Sequence, residues 1–240
     1  MNQELRTPNS ELRTGLFIML EGTDGSGKSV QTDLLVAKLK QEGKAVEQIS
    51  FPQYGQPSAF LVEEYLNGKF GTAKKVGPYR ASILYAVDRF AGANQIRQWL
   101  NEGKIVIANR YVASNLGHQG GKISDPEERR KYFDWDYNLE YNILGIPKPD
   151  LNLILHVTPA ISQQLVDKKG DREYLKGKKR DIHEDDLKHL ADAEQSYLYI
   201  AKIYPEFKII ECVKNDQILP IDEIHGIIWS EVSKHLTSNI

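Results

Sequence analysis

The chain has 240 residues, 40% of them hydrophobic and 27% charged, a balance that suits one globular domain with a sizeable core and excludes a disordered or membrane-embedded chain. Lys plus Arg number 31 against 33 for Asp plus Glu, a formal charge of −2, so neither a nucleic-acid partner nor an anionic membrane partner is expected. The single cysteine, Cys212, excludes an internal disulfide and a cysteine metal site, and with no run of 18 apolar residues and no secretory pattern the expected location is cytoplasmic.

Residues 1–14, MNQELRTPNSELRT, are polar and precede the first apolar run, so a loosely held tail is expected there and a single domain over 15–236. Residues 15–21, GLFIMLE, read as a buried strand, and QTDLLVAKLKQEGK reads as a helix ended by Gly43. Between them, Gly22-Thr23-Asp24-Gly25-Ser26-Gly27-Lys28-Ser29 fits G-x-x-x-x-G-K-[ST] in full, in the strand–loop–helix context that the motif needs. Backbone N–H groups from Gly22, Thr23, Asp24, Gly25, Ser26 and Gly27 through Lys28, Ser29 and Val30 would converge on phosphate, because a glycine-rich turn and a helix N-terminus both aim donors at an anion. Lys28 would reach the β and γ oxygens of a bound nucleotide, and the Ser29 hydroxyl would ligate Mg²⁺.

Four further apolar runs alternate with helical patterns: AVEQISF (45–51), KIVIAN (104–109), LNLILHV (151–157) and FKIIECV (207–213). Several are continuous rather than alternating in polarity, as strands covered on both faces should be. The pattern predicts an α/β, three-layer P-loop NTPase-type fold with a five-stranded parallel sheet and helices on both faces. Cys212 within the last run reads as a buried structural thiol. Open α/β sheets bind ligands beyond the carboxyl ends of their strands, so the segment after each run is the place to look for chemistry.

Phe51-Pro52-Gln53-Tyr54-Gly55 follows the second run and is either an acceptor contact or ordinary turn chemistry. A short helix is expected over 56–70, then a long one over 78–101 with Leu84, Val87 and Ala91 as its core stripe. Tyr85 and Arg89 are four apart and share a face, which either offers a ring and a guanidinium to a ligand or lies at the surface. The third run ends in Asn109-Arg110-Tyr111. P-loop proteins place a carboxylate there to help hold Mg²⁺, whereas this position is an amide; Arg110 reads as a phosphate ligand.

Asp125-Pro126-Glu127-Glu128 opens a helix with Tyr132, Trp135 and Leu139 at core spacing, a segment read as structural. A helix over 160–168 leads into KKGDREYLKGKKRDIHEDD, which reads either as a small mobile lid of cations over transferring phosphates, about 168–184, or as a solvated loop. The helix 184–203 is expected to bury Leu187, Leu190, Tyr197, Leu198 and Ala201, and the last helix Ile221, Ile224, Ile228 and Val232.

Taken in order, the EGTDGSGKS loop, the FP turn, LYAVDRF, NRYVASN followed by HQG, the run from Glu140 to Asp150 and the arginine-bearing lid stretch resemble the thymidylate kinases, nucleoside monophosphate kinases that phosphorylate dTMP from ATP. The resemblance runs from about Leu16 to the last helix. It implies ATP as donor, Mg²⁺ as cofactor, dTMP as acceptor, dTDP and ADP as products for dTTP synthesis, and a homodimer.

By position it implies that Lys28 and Ser29 bind the donor phosphates and Mg²⁺, that Asp24 faces the acceptor's 3′-hydroxyl, that Tyr85 stacks on thymine and that Arg89 hydrogen-bonds the base. Arg110 would hold the monophosphate near the transfer point. Ser114, Asn115, His118 and Gln119 would line the thymine and sugar pocket, and Phe51 and Pro52 the turn beside the acceptor, with a cis bond before the proline. Lys28, Arg110, Asp24 and a lid arginine, Arg172 or Arg180, would carry catalysis. The chain departs from the family in two places: Asn109 stands where the family has an Asp, and FPQYG lacks the arginine that many relatives place after the proline. Gly25 and Ser26 stand where some members carry a loop arginine, and in this family a loop without it accompanies a lid that supplies one, here Arg172 or Arg180. A deoxynucleoside kinase and a catalytically impaired nucleotide-binding relative are the rival readings, the second supported by Asn109.

Overall fold

The computed structural model describes residues 13–167 and 187–237. Five parallel strands, β1 (Leu16–Glu21), β2 (Val46–Ser50), β3 (Ile105–Asn109), β4 (Leu151–His156) and β5 (Phe207–Glu211), form one sheet in the order β2-β3-β1-β4-β5. The helices are α1 (Lys28–Gln41), α2 (Phe60–Leu66), α3 (Ala73–Asn101), α4 (Val112–Ser114), α5 (Pro126–Tyr137), α6 (Pro159–Asp167), α7 (Leu187–Ile203) and α8 (Ile221–Thr237).

Every residue of β1 is buried, because its side chains alternate between two covered faces. Leu16, Ile18 and Leu20 pack with Leu35 and Leu39 of α1 and Ile228 and Val232 of α8. Phe17 and Met19 pack on the other side with Ala93, Ile96 and Leu100 of α3, Tyr132 and Phe133 of α5, and Tyr197 and Ile200 of α7. At roughly 2 kcal/mol for each large apolar side chain fully buried, this two-sided packing holds the sheet as the middle of three layers, as the continuous apolar runs predict. The strand order places β1 between β3 and β4, so the chain leaves β1 at the carboxyl edge where the direction of winding reverses.

Helix α3 buries a different face from the one expected. Ser82, Ala86, Arg89, Ala93, Ile96 and Leu100 point inward, while Val87 and Ala91 are exposed and Leu84 is half-buried. Counting apolar residues alone misplaces the stripe, because the packed face carries Ser82 and Arg89, whose polar groups find buried partners. The helix is interrupted at Gly77 (φ 76°, ψ 166°) and resumes at Pro78, where a missing N–H removes no helical bond. On α7 the inward residues are Leu190, Ala193, Tyr197 and Ile200, with Leu187 exposed and Leu198 and Ala201 half-buried; on α8, Ile221 is exposed.

The fifth apolar run is shorter as a strand than its sequence suggests. β5 stops at Glu211, and Val213–Lys214 (β6) pairs antiparallel with Gln217–Ile218 (β7) around Asn215 and Asp216, both at positive φ (52° and 57°) as a tight two-residue hairpin requires. Arg13, assigned above to the tail, donates to Asp150 Oδ1 at 2.5 Å and to the Lys148 carbonyl at 3.0 Å, which anchors it ahead of β4. The expected lid over 168–184, with Arg172 and Arg180, lies outside the described residues.

Candidate active site

The loop after β1 is shaped by glycines that admit no substitute. Gly22 (φ 141°) and Gly25 (φ 82°) take backbone conformations that L-residues avoid, and a Cβ on them would stand 2.4 Å from the Leu155 carbonyl oxygen and 2.3 Å from that of Ser162. The tight wrap leads into α1 with its N-terminal N–H groups at the loop's centre. Lys28 is buried, and its ammonium donates to the carbonyls of Gly22 (2.9 Å) and Thr23 (2.6 Å) and to Ser26 Oγ (3.3 Å), so the loop itself fixes the cation. The Thr23 and Ser162 hydroxyls, 3.1 Å apart, tie the loop to α6.

Ser29 is exposed at the loop's mouth and its Oγ accepts from Asn109 Nδ2 at 3.3 Å. Asn109 Oδ1 is buried and has no hydrogen-bond partner among the described residues. A hydroxyl and an amide oxygen are hard donors of the kind Mg²⁺ accepts, and the orphaned amide oxygen has the capacity to take a hydrogen bond from a metal-bound water, so these residues fit the ion.

Arg110 follows β3 at φ 69°, a conformation that costs a non-glycine residue on the order of 1–3 kcal/mol and marks a constrained position. Its Nη2 donates to Asp24 Oδ1 at 2.5 Å, and its Nη1 donates to Ser114 Oγ at 3.3 Å and lies 3.0 Å from His118 Nε2. Burial alone would weaken the charge, but the Asp24 carboxylate outweighs it and raises the guanidinium's pKa, so Arg110 is a fixed cation. Beneath it, the buried carboxylate of Glu21 accepts from Tyr111 N (2.6 Å), Ser114 Oγ (2.9 and 3.0 Å) and Tyr197 Oη (2.9 Å), which joins β1, the turn after β3 and α7.

A cavity of about 320 Å³ opens from the loop toward α3 and the wide helical turn Asn115–Gln119. Asp24, Gly25, Gly27, Lys28, Ser29, Phe51, Pro52, Tyr85, Arg89, Arg110, Ser114, Asn115, His118 and Gln119 all line it, so most of the residues singled out from sequence meet in one place. Gly22, Thr23, Ser26 and Val30 build the loop and helix start around it without lining it. The Phe51–Pro52 bond is cis, as the resemblance implies. The turn after it is held by Asp88, which accepts from Gln53 N at 2.8 Å and from Ser58 Oγ at 2.6 Å, so it is more than proline and glycine punctuation.

Arg89 is 1% exposed rather than lying on an open surface. Its Nε and Nη2 donate to the two oxygens of Glu140 at 2.6 Å each, and Nη1 donates to the Tyr111 carbonyl at 3.2 Å. Three of five N–H groups are thereby used. Burial depresses Arg89, yet the Glu140 charge outweighs it and the guanidinium's pKa rises; burial also raises Glu140 against the pull of Arg89. The paired 2.6 Å bonds mark an ion pair with Glu140 ionised.

Asp136, buried beside it, is pushed well above the carboxylate range by burial and then by the Glu140 charge. Asn115 Nδ2 faces three acceptors, Asp136 Oδ1 (3.0 Å), Glu140 Oε1 (3.1 Å) and the Ser82 carbonyl (3.3 Å). The amide nitrogen is thereby committed inward, and Oδ1 is the end left for the cavity that Asn115 lines.

Sequence reasoning gave no role to Asp88, Asp136, Glu21 or His189, and placed Glu140 in a structural segment. The one local signal is the acid directly before Arg89. Glu140 meets Arg89 across 51 positions and Glu21 meets Tyr111 across 90, separations that no window along the chain can register.

A phosphate loop at the switch point of a parallel sheet, sharing a cavity with a second wall of fixed donors and acceptors, defines a P-loop nucleotide-binding protein with room for a second small molecule. A family model described as Thymidylate kinase matches residues 20–218. The thymidylate kinase of Bifidobacterium longum (strain NCC 2705) is 32% identical over 223 residues, covering 92% of this chain and 98% of that protein. That of Deinococcus radiodurans is 28% identical over 224 residues, covering 92% and 97%. The solved structure of thymidylate kinase from Candida albicans matches with a TM-score of 0.71 over 94% of this chain and 93% of that one, at 24% identity, which bears on the fold. The chain belongs to the thymidylate kinase family and is a kinase. Among the described residues no helix is long and apolar enough to cross a membrane.

Proposed function

We propose that the protein transfers the γ-phosphoryl group of ATP to dTMP, giving dTDP and ADP for dTTP synthesis, with residues 15–236 acting as one unit. The observation that carries this reading is that Lys28 and Ser29, the Asp24–Arg110 pair, and Arg89 with Asn115 all line one cavity. Thymine offers an acceptor at O4 and a donor at N3. The N–H groups that Arg89 has to spare and the outward Asn115 Oδ1 complement that pair, whereas cytosine would set a lone pair against a lone pair at Asn115. Tyr85 supplies a ring for stacking.

On binding, Arg110 exchanges Asp24 for the acceptor's phosphate, which frees Asp24 for the 3′-hydroxyl. A phosphate oxygen of dTMP then attacks the γ-phosphorus while the bond to the ADP oxygen breaks. Lys28 and Arg110 neutralise the charge that spreads over the equatorial oxygens, and no side-chain base is needed because the attacking oxygen is already anionic. Ser29 and Asn109 would hold Mg²⁺, which when bound adds charge neutralisation at the β and γ oxygens. The exposed apolar stripe Ile83, Val87 and Phe90, at i, i+4 and i+7 of α3, supports a homodimer. A free buried thiol suits a reducing compartment, which supports a cytosolic place of work.

A coupled ADP-release assay across dTMP, dUMP, CMP, AMP and thymidine tests the reading, with dTMP expected to be preferred. No preference would reject the acceptor assignment, and phosphorylation of thymidine without dTMP activity would favour a nucleoside kinase. Activity that appears only in Asn109→Asp would mark an impaired relative.

A further inference from the structure

Arg110 has partners besides Asp24, and they lead to helix α7. A guanidinium carries donors only, so His118 Nε2, 3.0 Å from Arg110 Nη1, meets it with a lone pair. A neutral imidazole with bare Nε2 carries its proton on Nδ1, and His118 Nδ1 makes a long contact of 3.4 Å with Nε2 of His189, close to the start of α7. That nitrogen must accept. The opposite direction would leave His118 with two lone pairs, an imidazolate, which a protein at neutral pH does not hold without a metal. The order of donors therefore runs one way, from Arg110 to His118 to His189.

The two rings are stacked with centres 5.5 Å apart and 25° between their planes, and Tyr197 meets His118 edge-on at 5.8 Å. Both histidines line the cavity. Around His118 stand Arg110 from the turn after β3, Asp24 and Lys28 from the phosphate loop and α1, and His189 and Tyr197 from α7. Burial first, and then the Arg110 charge, hold the ring well below the ordinary histidine range, so it stays the neutral acceptor.

We propose that His118 and His189 are positioning residues for phosphoryl transfer, a neutral pair that sets the plane of the Arg110 guanidinium toward the acceptor's phosphate and makes that plane depend on α7. The inference rests on the reading of Arg110 as the ligand of the acceptor monophosphate. While Asp24 holds Nη2 and His118 holds Nη1, the planar group is pinned on two sides. Once the phosphate replaces Asp24, the His118 bond and the weaker Ser114 contact are what keep it from rotating, and orientation of a planar cation governs whether it binds phosphate bidentately.

Calorimetric titration of dTMP and, separately, of thymidine into the full chain and its variants tests this, because a device acting through Arg110 affects only the ligand with a phosphate. His118→Phe is expected to weaken dTMP about tenfold, the scale of one hydrogen bond to a charged group, with thymidine changed less than about twofold. His118→Gln, whose side-chain oxygen can accept the same N–H, should restore dTMP affinity to within about threefold of the parent, and His189→Phe should weaken dTMP by about threefold. Equal losses for dTMP and thymidine would mean the ring touches base or sugar and would overturn the proposal, as would no loss for either. Arg110→Ala separates the two levels. If it leaves dTMP affinity unchanged, Arg110 is no phosphate ligand and both readings fall; if it lowers dTMP affinity while the His118 variants show no phosphate-selective effect, only the positioning pair falls.

Discussion

Arg89, Glu140, Asp136 and Asn115 form a buried polar group whose members differ in charge although they touch. Glu140 is ionised because Arg89 grips both its oxygens, whereas burial and that neighbouring charge push Asp136 well above the carboxylate range and toward the neutral form. Substitutions should therefore separate the two acids. Glu140→Gln strands a buried guanidinium and is expected to cost about 3–5 kcal/mol in urea unfolding, whereas Asp136→Asn replaces a neutral group by a neutral group and should cost about 1 kcal/mol or less at pH 7. The pH dependence has a definite sign. An acid whose folded pKa is raised opposes folding increasingly as pH rises from its unfolded value toward its folded one, so Asp136→Asn should gain on the parent as pH climbs from 4 to 7. A constant difference across that range would show that Asp136 is ionised in the fold. Cys212 is simpler: burial pushes its thiol up to about 12, so Ellman's reagent should find no reactive thiol in the native chain and one after unfolding in guanidinium chloride.

At the scale of elements, β4, β5 and α7 are joined by His156, whose Nδ1 lies 2.7 Å from Glu211 Oε2 and whose Nε2 lies 2.8 Å from Glu194 Oε1. Burial lowers its pKa, but the hydrogen bonds it donates to Glu211 and then Glu194, with their charges, outweigh this and raise it. The stabilisation is fully present below the unfolded histidine value near 6.5 and is lost as pH rises through the folded value. His156→Gln should accordingly lower the melting temperature at pH 6 and do so less at pH 8.5; an equal drop at both would show that the bridge carries no proton. Helix α3 shows how far an element can be read from its own sequence. A helix over 78–101 follows from its apolar pattern, whereas the turn that precedes the break at Gly77 does not, and its inward face includes Ser82 and Arg89, which a count of apolar residues assigns to solvent. The same helix turns Ile83, Val87 and Phe90 outward, a stripe that a search for core residues reads as inward at Val87.

For the whole molecule, that outward stripe makes a prediction about assembly. If it is the face of the proposed homodimer, Val87→Glu combined with Phe90→Glu should leave the fold intact, since both side chains are exposed, and convert the species seen in sedimentation velocity to one of 27.3 kDa. A parent chain that already sediments as a monomer would dispose of the dimer.

The sequence by itself determined the layered sheet, the phosphate loop, and the place of Arg110 just beyond the carboxyl end of a strand, each from neighbours within a few positions: continuous apolar runs, closely spaced glycines and the lysine beside them. Tyr85, Arg89 and Asn115 are expected at the ligand only through the family resemblance, because their local spacing is equally that of a surface face. Only the tertiary structure decided what holds those groups in place. Glu140 under Arg89, Asp136 behind Asn115, Glu21 beneath Arg110 and the path from Arg110 through His118 to His189 all join residues far apart in the chain. Burying a charge is tolerable only where the fold brings a partner to it, and a partner supplied by the fold leaves no mark on the local sequence.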